Sequence, residues 1–182
     1  EKDSSDFDIY GITIPPLEII FPHIDGYIPG FGTPPKKFEH WQQHHVNHND
    51  REYDFSIYNI VKFFDLFLNN NPNIVDSIFV PDRCVLYKNH ISELIIKNRK
   101  LFLSKLCYHR FSGYALSMKH KMLTKNPIGK RKELVEKFGY DTKFACHAVR
   151  LLNQLEQILL TEDLILDYNN QELKAIRKGE YS

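Results

Sequence analysis

Near residue 51 the hydrophobic rhythm of the chain changes, and with it the kind of element the backbone can build. Beyond that point Ile57, Ile60, Val61, Phe64, Phe67 and Leu68 recur at the spacing of one buried helix face. Before it, apolar and β-branched residues come in short runs, FDIYGITI and LEIIF, broken by Pro15 and Pro16. These runs predict two strands joined by a proline turn. Residues 22–50 carry Pro22, Gly26, Pro29, Gly30, Gly32, Pro34 and Pro35, then the polar stretch FEHWQQHHVNHNDRE, and predict a long loop. A short extended piece, EYDF, leads into the first helix. The expected fold is therefore α+β: a small sheet within residues 1–55, interrupted by a loop at 22–50, and a helical domain over 56–182.

The helical part is punctuated clearly. Asn69 to Pro72 stops the first helix, and further helices are expected over 73–80 and 90–97. The longest is expected from Lys100 to Thr124, on a stripe of Leu103, Leu106, Cys107, Phe111, Tyr114, Ala115, Met118 and Met122, with Pro127 and Gly129 ending it. A helix over 130–138 closes at Gly139, the position that favours a left-handed residue. Asp141 is placed to cap a helix whose apolar face is Phe144, Ala148, Leu151, Leu152, Leu155, Ile158 and Leu159. The stretch NNQELKAIRKGE predicts a last short helix with an Asn cap and Gly179 beyond its end.

Bulk charge excludes little, because 24 basic and 23 acidic residues leave a formal charge of +1. Any nucleic-acid contact must come from a local basic face rather than from net charge. Cys84, Cys107 and Cys146 lack CxxC spacing and fit reduced thiols. No apolar run reaches the roughly 18 residues that span a bilayer, and no charged-apolar-small leader opens the sequence, so no membrane partner is expected and a cytoplasmic location is.

Chemistry enters with SSDFDIYGI. On an extended strand Asp6 and Asp8 project from the same face, where two carboxylates repel. A hard divalent cation removes that repulsion, and Mg²⁺ favours one or two carboxylates together with phosphate oxygens. Taken alone, an Asp-x-Asp pair is more often a pair of solvated turn residues. In this sequence, however, the S-D-x-D strand running into an apolar segment and a proline turn resembles the catalytic strand of the DNA polymerase β-like nucleotidyltransferase superfamily. Asp54, in EYDFSIYNIVKFFDLFLNNNPNIVDSIF, sits where members have a third carboxylate. GYDTKFACHAVRLL and ELKAIRKGE look like the helical half of the predicted bacterial and phage nucleotidyltransferases associated with RNA ligases.

The resemblance implies two-metal transfer of a nucleotide from a nucleoside triphosphate to a hydroxyl, with nucleic acid, as in RNA repair, the expected acceptor. Asp6, Asp8 and Asp54 would be the catalytic metal ligands, for Mg²⁺ or Mn²⁺. Members also carry a Gly-Ser turn and helix that cradle the triphosphate, expected upstream of Glu1. The same scaffold also serves two alternatives: a non-catalytic nucleic-acid or partner-binding module, and a toxin- or antitoxin-type modifier of protein side chains.

Three further groups stand out. Lys143, His147 and Arg150 are spaced i, i+4, i+7 and form a polar stripe. Periodicity alone divides them evenly between a phosphate contact and a solvated flank, and the resemblance favours substrate binding. His40, His44, His45 and His48 have spacings that suit metal ligation on a helix, but no Cys accompanies them and the segment is loop-like, so a solvated histidine cluster is expected. Trp41 beside them suits base stacking or anchoring of the loop. KHKMLTKNPIGKRK gathers Lys119, Lys121, Lys125, Lys130, Arg131 and Lys132 into the best local basic patch for phosphate contacts.

Overall fold

The computed structural model describes residues 7–26, 28 and 38–181. The chain divides into two compact units, Glu1–Leu66 and Phe67–Ser182. The division falls inside the first long helix, whereas the sequence places the start of the helical domain at residue 56. The fold is α+β, with a three-stranded sheet in the first unit and helices making up the second.

In the first unit, strand β1 (Phe7–Thr13) runs parallel to the central strand β3 (Arg51–Asn59), and β2 (His40–His48) runs antiparallel to β3 on its other side. The second apolar run, LEII, is a single helical turn, α1 (Leu17–Ile20), not a strand. Pro16 enters it with extended backbone and the Phe21 N–H donates back to the Leu17 carbonyl at 2.6 Å, so four residues close on themselves with none buried. The expected loop at 22–50 holds a nine-residue strand at its end, and its residues 27 and 29–37 lie outside the described residues. Strand β2 escapes period-two reading because it is an edge strand exposed on nearly every residue, so neither face had to be apolar. What forms it is its turn: Asn49 and Asp50 both adopt positive φ, 49° and 60°, the geometry of a two-residue hairpin whose twist matches that of the strands.

Helix α2 (Ile60–Leu68) leaves the sheet, beginning three residues later than its apolar spacing suggests because Ile57 belongs to β3. In the second unit follow α3 (Pro72–Phe79), α4 (His90–Lys97), α5 (Leu106–Thr124), α6 (Lys130–Phe138), α7 (Thr142–Thr161) and α8 (Asn170–Lys178). Helix α5 starts at Leu106, not Lys100, because backbone groups just before it are taken by a buried side chain. Asn70 donates to the Phe102 carbonyl at 2.8 Å and its Oδ1 accepts from the Ser104 N–H at 2.9 Å. Helices α5 and α7 pack on one another through a core that includes Cys107, Phe111, Ala115, Met118, Leu151, Leu155 and Ile158. Leu152 and Leu159, expected on the inner face of α7, are half exposed.

The caps follow the sequence closely. Asp141 Oδ1 accepts from the backbone N–H groups of Lys143 and Phe144 at 2.9 and 3.1 Å. Gly139 and Gly179 end α6 and α8 in the left-handed region. Asn169 occupies the cap position of α8 with φ 59°, but its side chain donates to Glu172 at 2.6 Å instead of accepting from the helix. No described helix is long and apolar enough to cross a membrane.

Candidate active site

The sheet of the first unit separates its chemistry by face. Residues paired across β1 and β3 point the same way, so Phe7, Ile9, Tyr53, Phe55 and Ile57 share one face and Asp8, Asp54, Tyr10 and Ser56 share the other. The first face is aromatic: Phe7 meets Tyr53 edge-on at 5.8 Å, and Phe55 lies 6.2 Å from Tyr53 and 6.1 Å from Trp41. Trp41 thus joins the aromatic row of the sheet. The second face is acidic. Asp8 lies directly opposite Asp54 in the β1–β3 register, which sets the two carboxylates on neighbouring strands about 4.8 Å apart at the backbone. Asp6, the remaining member of the expected triad, lies outside the described residues.

Asp54 is held by a feature the sequence does not announce. Between Gln43, opposite Phe55, and Val46, opposite Tyr53, strand β2 carries an extra residue, so His44 and His45 together oppose Asp54. This is a β-bulge, which redirects backbone and side-chain groups at a strand edge. His45 takes φ 59°, and its N–H leaves the ladder to donate to Asp54 Oδ1 at 2.8 Å. His44 Nδ1 lies 3.1 Å from Asp54 Oδ2. Both carboxylate oxygens are therefore oriented by the bulge. The His45 amide is the main cause holding the Asp54 carboxyl below its ordinary value, with His44 assisting against partial burial. Glu52, two residues along β3, projects from the same face and meets His45 Nδ1.

The histidines expected to be a solvated cluster thus divide. His44 and His45 are part of the acidic face, while His40 stacks on Tyr58 at 5.9 Å. Helical i, i+4 convergence does not occur, because the segment is a strand. The signal that would have found the bulge pair was the Asn-Asp turn followed by Glu52 and Asp54 at strand spacing.

Lys143, His147 and Arg150 lie on α7 in the second unit, with Lys143 exposed and the other two half-buried. They are not a simple solvated flank. Arg150 Nη2 lies 3.0 Å from His147 Nδ1, so the imidazole accepts from the guanidinium, and the ring meets Tyr114 edge-on at 5.2 Å. Burial, then the charges of Arg150 and Lys121, push the His147 imidazole down to about 4. Arg150 also faces Asp76 at 3.6 Å, and Gln154 donates to Asp76 Oδ1 at 2.9 Å. Burial pushes the Asp76 carboxyl up to about 6 despite these partners. Asp76 and Gln154 were not legible as part of this cluster, since nothing in a linear pattern joins α3 to α7. In the basic patch, Arg131 is structural: it pairs with Asp141 at 2.8 Å and lies over the Phe144 ring at 4.1 Å.

Over residues 1–178 the sequence matches RlaP, described as the RNA repair pathway DNA polymerase beta family. No curated protein and no solved structure matched it.

Proposed function

The chain belongs to the RNA repair pathway DNA polymerase beta family, and from that premise we propose that it transfers a nucleotide from a nucleoside triphosphate to a hydroxyl on RNA, with Mg²⁺ or Mn²⁺ held by Asp8, Asp54 and Asp6. The observation that carries this reading is the Asp8–Asp54 register on the polar face of the sheet. Two carboxylates on adjacent strands, one of them kept ionised, are the donor set a hard divalent cation takes. When bound, such an ion neutralises triphosphate charge and lowers the pKa of an attacking hydroxyl.

The chain's own residues supply orientation. The His45 amide and His44 imidazole fix the plane of the Asp54 carboxylate. The aromatic face keeps the central strand packed so that this geometry persists. In the helical unit, Lys143 is the exposed cation for substrate phosphate. Arg150, two turns further along α7, offers its guanidinium, and His147 stays neutral and positions Arg150 through their hydrogen bond.

The test supplies the protein with α-phosphate-labelled nucleoside triphosphates, Mg²⁺ and RNA bearing a free terminal hydroxyl. Label transferred to RNA, reduced about a hundredfold or more in Asp8→Asn and in Asp54→Asn, is the expected result. Label on protein instead of RNA would identify the protein-modifying alternative. RNA binding without transfer, unchanged by either substitution, would identify the non-catalytic module.

A further inference from the structure

The bulge does more than hold Asp54. His45, Glu52 and Asp54 each present one ligand atom, and these atoms all lie within 4.8 Å of one another. His44 Nδ1 stands beside the same carboxylate. We infer that the β2 bulge and the facing stretch of β3 form a second metal site, for a transition-metal dication such as Zn²⁺ or Co²⁺, with His45, Glu52 and Asp54 as ligands and His44 available as a fourth. It rests on the proposed reaction only in sharing Asp54.

Three arguments support it. Glu52 and Asp54 project together from one strand face, and each is met by an imidazole nitrogen from the bulge, Glu52 by His45 and Asp54 by His44. Two carboxylates so placed carry negative charge that a dication offsets. The donor set is also selective: imidazole nitrogen favours first-row transition metals, whereas Mg²⁺ prefers oxygen and dehydrates reluctantly. Finally, the geometry needs only local adjustment. Ligands about 2 Å from a zinc-like ion stand roughly 3 Å apart. The His45 side chain is 78% exposed and able to swing, while Glu52 and Asp54 are fixed on the strand at 34% and 22%.

A non-glycine residue held at positive φ is costly and persists only where the surroundings impose it. Here the backbone conformation of His45 does two things at once. It aims the amide at Asp54, and it brings the imidazole to Glu52. On binding, the ion takes the place of the direct contact between the His45 ring and Glu52.

The experiment titrates the protein with Co²⁺ in excess Mg²⁺, without nucleotide, so that the carboxylate site of the proposed reaction is already filled, and follows the visible ligand-field absorption together with calorimetry. One Co²⁺ per chain with an imidazole-ligated spectrum, displaced by Zn²⁺ but not by excess Mg²⁺, is expected. His45→Asn, chosen because Asn tolerates the left-handed conformation, and Glu52→Gln should each weaken Co²⁺ binding by at least about tenfold. His40→Asn should leave it within about twofold, because His40 stacks on Tyr58 and is outside this ligand set. Wild-type affinity in His45→Asn, or loss of Co²⁺ binding in His40→Asn, would overturn the assignment. The readout needs no turnover, so failed Co²⁺ binding leaves nucleotidyl transfer standing, and absent transfer leaves this site standing.

Discussion

Asp76 and His147, both partly buried and both in contact with Arg150, make a quantitative demand on the helical unit. Below pH 3.8 both folded and unfolded chains protonate Asp76, but as pH rises toward about 6 the unfolded chain releases a proton that the folded unit keeps. Asp76 therefore lowers stability over that interval, by about 3 kcal/mol at its end. His147 acts oppositely. From about 4 to 6.5 the unfolded chain holds a proton on its imidazole that the folded unit refuses, so His147 raises stability as pH rises, again by about 3 kcal/mol. The two nearly cancel, so together they add almost no slope to the pH profile where either group alone would add a steep one.

Asp76→Asn removes one arm of the balance. The stability of this variant relative to the native protein should climb by about 2–3 kcal/mol between pH 3.8 and about 6, the lower figure allowing for a carboxyl still 19% exposed. His147→Gln should do the reverse, losing about 2–3 kcal/mol relative to the native protein between about pH 4 and 6.5. Urea denaturation followed by far-ultraviolet circular dichroism is the assay, because helix signal reports the second unit while the single tryptophan, Trp41, reports the sheet. Taking differences against the native protein cancels the titrating groups that share no partner with the substituted one. Parallel profiles for the native protein and Asp76→Asn would refute the reasoning, since they would mean that the carboxyl is hydrated and titrates normally.

Asp141→Ala removes the cap of α7 and leaves Arg131 without its partner, and should cost about 2–4 kcal/mol in the same denaturation assay. Asn70→Ala should cost about 3 kcal/mol, because φ 50° suits asparagine better than alanine and the Phe102 carbonyl and Ser104 N–H both lose their partner. Gly139→Ala and Gly179→Ala separate conformation from space. Both sit in the left-handed region, but a Cβ at Gly139 meets nothing within 4 Å, whereas at Gly179 it would lie 2.1 Å from the Phe138 ring. Stability in urea denaturation should therefore fall modestly for the first, by about 1 kcal/mol, and by at least about twice that for the second.

The helical unit was readable because each of its boundaries has a local cause. Asp141 caps with its own side chain, Gly139 turns on its own backbone, and the α5 stripe of Cys107, Phe111, Ala115 and Met118 repeats at the period of the element it buries. Where the reading slipped, a distant partner had intervened. Residues 100–105 carry a helical pattern, yet Asn70, more than thirty positions away, claims the Phe102 carbonyl and the Ser104 N–H. Edge strand β2 gave no pattern to read, since a strand exposed on both faces is free to be polar throughout.

The acidic face shows the same division at the level of chemistry. That Asp8 stands on a strand follows from FDIYGIT itself, but that it stands opposite Asp54 depends on parallel register, which forty-odd intervening residues leave open in the sequence. The bulge is further removed still. Its existence depends on fitting β2 to β3 with one residue too many between Gln43 and Val46, and only that surplus turns the His45 amide out of the ladder and onto a carboxylate. A single deletion at position 44 or 45 would preserve composition, charge and strand propensity almost unchanged, yet it would restore a regular ladder and leave Asp54 without the amide that orients it. The constraint on these histidines is thus one of count and register before it is one of side-chain identity.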